Sequence, residues 1–242
     1  MGDAITLYDA HGSPCARRVR AVLLEKGLAW TTELLDLTRL EQKRPEYLAL
    51  NPNGVVPTLV HGERVVYESN VITEYLDAVF PEPALYPRDP WERAQAKMWQ
   101  AFELAMAKDF RPLMYQRVIG PYDRLRPRDE VLAEARRSTD DLAHLDWVRR
   151  VYDDEVVSDA EAAHLESLLL QRLDRLETAL SRSGWLVDSG YSVADLSVAP
   201  RVQMYPVIQI ALDPRRHPAV CAWLARVAER PAFRRSESVR PD

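Results

Sequence analysis

A proline at the head of a short apolar run constrains this chain more than any other feature. In Asn51-Pro-Asn-Gly-Val-Val-Pro-Thr-Leu-Val60, a Pro-Asn-Gly turn feeds Thr58-Leu-Val60. His61-Gly-Glu63 then reads as a hairpin turn, and Arg64-Val-Val-Tyr67 as a second strand. Pro57 has no N–H to give a ladder, so it belongs at a sheet edge or at an irregular strand entry. A cis bond before it would reverse the chain and turn the N–H and C=O of Val56 toward a cleft instead of a neighbouring strand. The second strand gives way at Glu68-Ser69 to a helical segment, Asn70 to Phe80. A helix N-terminus beside a free strand edge is a backbone receptor for a peptide and its carboxylate.

Upstream, Ala4-Ile-Thr-Leu-Tyr8 alternates as a half-buried strand does. Ser13 as N-cap, Pro14 at the first helical position and Gly27 past the end delimit a helix from Pro14 to Lys26. Trp30 to Leu37 reads as a strand and Arg39 to Ala49 as a looser helical piece, so residues 4–80 form a small α/β unit. The proline-rich stretch Phe80 to Pro87 is a linker, and the expected domains are residues 1–82 and 88–242. Beyond it the pattern is helical. Trp91, Ala94, Met98, Ala101, Phe102 and Ala105 have the spacing of a buried stripe, and Pro112 is expected to kink or end that helix. Ser158 to Glu161 and Ser192 to Asp195 are capping boxes, the first followed by a leucine face from Leu165 to Leu180. Residues 120–159 read as a charged helical insert that either stays solvated or covers a substrate pocket.

The net charge of −5 leaves no basic excess for nucleic acid. The start Met1-Gly2-Asp3 lacks a signal peptide's regions and is a poor myristoylation context; no apolar run has membrane-spanning length. Two cysteines, Cys15 and Cys221, make no disulfide framework, and Cys221 reads as core. The five histidines are scattered, so no metal site is expected. These features suit a cytoplasmic enzyme.

Val56-Pro57 followed by Glu68-Ser69 resembles the glutathione-binding half of a glutathione transferase. Tyr191-Ser-Val-Ala-Asp-Leu196 resembles the N-capping segment of that family's central C-terminal helix. The resemblance runs from Ile5 to about Phe233 and is weakest over the insert. It implies an α/β thioredoxin-like N-terminal domain, an all-α C-terminal domain and a homodimer. It also implies that Val56 pairs with the cysteinyl backbone of glutathione across a cis-Pro57, while Glu68 and Ser69 hold the γ-glutamyl end. Leu40-Glu-Gln42, Trp147-Val-Arg-Arg150 and the stretch from Trp185 to Asp195 look like the bacterial enzymes that cleave β-aryl ethers.

Glutathione acts as a thiolate, and a free thiol with a pKa of roughly 8.5 is mostly protonated at neutral pH. A helix N-terminus and a hydroxyl donor aimed at the sulfur would lower that value. Ser13 supplies both, and resembles the catalytic residue of the serine-type transferases; the alternative is a plain N-cap. Cys15, in the first turn of the same helix, is the competing candidate, for a glutathione-dependent reductase or isomerase. Lys43 can reach the glycyl carboxylate. Met106, Phe110 and Met114 share one face of their helix and are the candidate wall for a hydrophobic small-molecule electrophile. A non-catalytic glutathione-binding module on the same scaffold is a further alternative.

Overall fold

The computed structural model describes residues 3–238; the Met1-Gly2 start lies outside the described residues. Four strands form one sheet in the order β2-β1-β3-β4, with β1 (Ile5–Asp9), β2 (Thr31–Leu34), β3 (Thr58–His61) and β4 (Arg64–Tyr67). β2 lies parallel to β1, while β3 is antiparallel to both β1 and β4. The parallel pair needs a crossover, which is helix α1 (Pro14–Glu25). Leu7 of β1 sits opposite Leu59 of β3, and both are sealed from solvent. Val19, Val22 and Leu23 of α1, with Ile72 and Leu76 of α3 (Ser69–Val79), cover this sheet.

β2 is shorter than its sequence suggests. The ladder ends with the Leu35 amide donating to the Asp9 carbonyl at 2.8 Å. Asp36 then turns the chain away, accepting from the Thr38 amide at 2.9 Å to cap a 3-10 turn, Leu37–Arg39. A second such turn, Glu41–Lys43, and the single-turn helix α2 (Pro45–Leu48) account for the looser helical piece.

From α4 (Pro90–Met114) onward every regular element of the described residues is helical. The face that α4 buries is not the one its apolar spacing indicated. Phe102 is buried, but Trp91 is 66% and Met98 54% exposed, and Ala94 and Ala101 also face outward. The buried face instead runs through Ala96, Gln100, Glu103, Met106, Phe110 and Leu113, because polar partners from other elements meet Gln100 and Glu103. Nor does Pro112 end the helix. The helix continues through it to Met114 and then loosens into a π-helical turn, Tyr115–Ile119.

The insert forms α5 (Gly120–Asp123), α6 (Arg128–Ser138) and α7 (Leu142–Tyr152). It is charged outside but packed inside through Val131, Leu132, Ala135 and Val151. Helix α8 (Asp159–Ser183) begins with a complete Ser158–Glu161 capping box and ends at Gly184, whose φ of +80° suits a left-handed cap. Helix α9 (Val193–Val202), wholly buried, begins with the second box. Its Asp195 also accepts from the Trp223 indole N–H at 2.7 Å, tying α9 to α10 (Pro218–Glu229); α11 (Pro231–Arg235) follows. Cys221, read as core, is half-buried on α10. None of the helices of the described residues is long and apolar enough to cross a membrane.

Candidate active site

The loop before β3 is clamped from two sides. The Tyr47 hydroxyl and the Asn51 side-chain amide both donate to the Val55 carbonyl, at 2.7 and 2.8 Å. The same two groups also reach the Thr58 hydroxyl. The Val56–Pro57 bond is cis, and neither the N–H nor the C=O of Val56 has a hydrogen-bond partner among the described residues. A fixed loop thus presents one residue of unpaired backbone.

At the far end of β4, Glu68 adopts φ +68°, a left-handed conformation uncommon outside glycine, and this turns the strand into α3. Its carboxylate accepts from the Asn53 side chain at 2.8 Å, while the Lys43 ammonium donates to the Asn53 carbonyl at 3.4 Å. Lys43, Asn53 and Glu68 are therefore joined. Ser69, the first residue of α3, is buried, and its hydroxyl accepts from Arg18 at 3.2 Å. The described residues hold no group of three His, Cys, Asp or Glu side chains placed to bind a metal ion.

Ser13 is half-buried at the N-terminus of α1, its hydroxyl oxygen accepting from the Ala16 amide at 3.2 Å. The hydroxyl proton has no acceptor among the described residues, so it remains available to a ligand. Cys15 is also half-buried, with its sulfur 3.8 Å from an Arg201 guanidinium nitrogen.

Behind these groups lies an ionic cluster that the sequence did not disclose. Glu103 of α4 pairs with Arg18 of α1 and, at 3.0 Å, with Arg201 of α9. Arg18 and Glu103 are sealed from solvent. Burial pushes the Glu103 carboxyl up, but Arg18 and then Arg201 outweigh it and hold it below the usual carboxylate range. Arg18 further donates to the Asn70 side chain and, at 3.2 Å, to the Ser197 carbonyl. The cluster thus joins both domains beneath Ser69 and reaches Cys15. The signals for it were an acid beside Phe102 on α4 and an arginine within the wholly buried α9.

Of the electrophile-wall candidates, Met106 and Phe110 are sealed in the core, Phe110 stacking on Tyr205 at 6.1 Å. Met114 is half-buried and packs against the core rim. A cavity lined by Tyr115 and Ile119 starts one residue past Met114.

Two family models match the chain. The glutathione S-transferase N-terminal domain covers residues 12–79 and the glutathione S-transferase C-terminal domain covers residues 140–231. Protein LigF of Sphingobium sp. (strain NBRC 103272 / SYK-6) is 29% identical over 232 residues, spanning 88% of this chain and 85% of that protein. The solved structure of β-etherase LigF superposes with a TM-score of 0.86 at 27% identity, covering 96% of this chain and 98% of its own. A theta-class glutathione S-transferase from Xanthomonas axonopodis pv. citri, solved with glutathione bound, superposes with a TM-score of 0.73 at 28% identity, covering 98% and 99%. A stringent starvation protein A homolog from Pasteurella multocida is 26% identical over 235 residues, covering 97% of this chain and 91% of that protein. With an N-terminal domain of mixed four-stranded sheet and an all-helical C-terminal domain, and with both halves matched, the chain belongs to the glutathione S-transferase family.

Proposed function

We propose that this chain activates the thiol of glutathione through Ser13 and directs it at a hydrophobic electrophile, with a β-aryl ether as the substrate class. The observation that carries the reading is the Ser13 hydroxyl at the N-terminus of α1, whose proton is uncommitted. A thiolate there would accept that hydrogen bond and meet the positive end of the helix, and both effects lower its pKa. The unpaired Val56 backbone would take the cysteinyl residue. Ser69, with Glu68 beside it, would take the γ-glutamyl end, and Lys43 the glycyl carboxylate. The β-aryl ether assignment rests on the likeness to β-etherase LigF. In that reaction a carbon–sulfur bond forms as the carbon–oxygen bond breaks, and the aryloxide leaves and takes a proton from solvent. Met114, at the rim of the core, is the member of the electrophile wall with accessible surface; Met106 and Phe110 would support it from beneath.

The position of Cys15 favours a second reading. An Arg201 nitrogen lies 3.8 Å from its sulfur, in the first turn of α1, where a glutathione-dependent reductase would carry its reactive cysteine. A cytoplasmic homodimer is part of the main proposal. Trp91, Met98 and Leu104 on α4, with Val65 and Tyr67 on β4, are exposed and apolar enough to meet a second copy, and the mass in solution tests this.

The deciding experiment is a pH titration of bound glutathione by ultraviolet thiolate absorbance in wild type, Ser13→Ala and Cys15→Ser. A thiolate formed below the free-thiol range, lost in Ser13→Ala and kept in Cys15→Ser, is the expected result. Dependence on Cys15 alone would transfer the protein to the reductase reading, and absence of glutathione binding would overturn both.

A further inference from the structure

We infer that Asn53 is a positioning residue of the glutathione site proposed above. Its side-chain amide holds the Glu68 carboxylate where the γ-glutamyl ammonium would meet it, and so sets selectivity for a free amino group at that end. The inference rests on the transferase reading. Glu68 is exposed, and its backbone sits at φ +68°, a region that a residue with a long side chain adopts only when its surroundings hold it there. Behind it, Arg18 braces the next residue through the Ser69 hydroxyl at 3.2 Å. In front, the Asn53 amide donates to Glu68 Oε1 at 2.8 Å. Left to itself, an exposed glutamate side chain spreads over many rotamers, and ordering it on binding weakens the complex.

Asn53 can fix Glu68 because it is itself fixed. Its N–H donates to the side-chain oxygen of Asn51 at 3.1 Å, and Asn51 is sealed and bonded to the Val55 carbonyl and the Thr58 hydroxyl. The Gly54 N–H closes the same turn on the Asn51 carbonyl at 2.9 Å. Asn53 also stands between opposite charges. The Lys43 ammonium donates to its carbonyl at 3.4 Å on one side, while Glu68 accepts from its amide on the other. Lys43 reaches that place over Gly54, where an added Cβ would come within 2.8 Å of Nζ. Neither Lys43 nor Glu68 forms an ion pair among the described residues. In contact, the two would neutralise each other and leave neither for the ligand. A neutral amide between them orients both and leaves each charge uncompensated, Glu68 for the amino group and Lys43 for the glycyl carboxylate. A charged residue at position 53 would pair with one of them and repel the other.

The test separates the two ends of the ligand. Glutathione, its deamino analogue glutaryl-cysteinyl-glycine and its glycyl ethyl ester are titrated calorimetrically against the full chain as wild type, Asn53→Ala, Glu68→Ala and the double variant. Asn53 is exposed and its amide makes this one hydrogen bond among the described residues, so its replacement leaves the loop clamp intact. Wild type should prefer glutathione over the deamino analogue about 10-fold, the worth of one hydrogen bond to a charged group. Asn53→Ala should cut that preference to about 2-fold and leave the preference over the ester as it is in wild type. A loosened fold would weaken all three ligands together, so loss at one end distinguishes positioning from damage. In Glu68→Ala, adding Asn53→Ala should move the dissociation constant for glutathione by less than about 2-fold, because Asn53 acts through the Glu68 carboxylate. Wild type that does not bind glutathione would overturn the transferase reading and this inference with it. Wild type that binds but shows no preference for the amino group, a preference unchanged in Asn53→Ala, an equal fall at both ends, or full additivity with Glu68→Ala would overturn the inference alone.

Discussion

Replacing Glu103 by glutamine is the sharpest test of how the two domains are joined. Among the described residues, Glu103 is the only acid shared by Arg18 and Arg201 in the buried cluster, with Arg18 0% and Arg201 7% exposed. Removing its charge leaves two guanidiniums facing each other, one of them without water. Breaking a buried pair in this way costs about 3–5 kcal/mol, because the orphaned charge remains desolvated. For a chain of this size about 1 kcal/mol moves the midpoint by roughly 2–4 °C, so Glu103→Gln should melt about 6–20 °C below wild type. Urea unfolding should show the same loss as a lower midpoint at unchanged slope. The variant in which Arg18, Glu103 and Arg201 all become methionine should be far less damaged than Glu103→Gln, since it removes the buried charges together. A loss of less than about 1 kcal/mol in Glu103→Gln, or a triple variant no better than the single one, would refute the picture of a sealed, mutually compensated cluster. Arg18 also holds the Ser69 hydroxyl, so the dissociation constant for glutathione should rise in Glu103→Gln even where the protein is fully folded.

Other outcomes follow from the same geometry. In acid, Glu103 contributes in a defined direction: its folded pKa lies below the ordinary 4.5, so its stabilisation is complete above that value and disappears as pH falls through the folded pKa. The gap in melting midpoint between wild type and Glu103→Gln should therefore be constant from pH 6 to 7 and narrow below about pH 4. Tyr205 is fully buried and its hydroxyl has no partner among the described residues, so Tyr205→Phe should leave stability unchanged or raise it by about 1 kcal/mol in urea unfolding. Gly184 ends α8 at φ +80°, where an added Cβ would come within 2.9 Å of the Arg226 side chain that donates to its carbonyl. Gly184→Ala should cost about 1 kcal/mol or more, and a cost near zero would remove the argument for a left-handed cap.

What the sequence disclosed depended on how local the determining interactions were. The Ser158 and Ser192 boxes close within four residues, and both are present as read. The Pro14 start and Gly27 stop of α1 also depend only on neighbouring backbone, and they bound the helix to within a residue. Spacing alone could not orient α4. Its residues offer two apolar stripes, and choosing between them required knowing that Tyr86 and Thr73 would meet Gln100 and that Arg18 would meet Glu103. Those partners lie 14, 27 and 85 residues away. Pro112, read as a kink or an end, lies two residues before α4 gives way to the π-turn Tyr115–Ile119, which packs against the insert; the sequence marked the place but not the form of the change.

The candidate site divides along the same line. Val56, Pro57, Glu68 and Ser69 belong to one strand–turn–strand–helix passage, so their association was legible before any tertiary contact was known. What holds that passage in place was not: Tyr47 and Asn51 clamp it from one side, and Arg18 braces Ser69 from the other. The cavity between the 37–42 turn and the insert is the extreme case, because its lining residues Gln42 and His144 lie about a hundred positions apart and neither carries a motif. Only the packing of the insert onto the 37–42 turn makes them walls of one cavity. Glutathione recognition in this family rests on backbone that a short motif can specify. The cavity against the 37–42 turn, by contrast, is lined by side chains that the insert assembles, the stretch where the resemblance to the family was weakest. Relatives that share the passage from Val56 to Ser69 but differ in residues 120–159 should therefore agree in glutathione affinity and part company in the aromatic molecules they bind. Exchanging that segment between two of them, with both affinities measured, is the comparison to make; a change in glutathione affinity alone would contradict this division of labour.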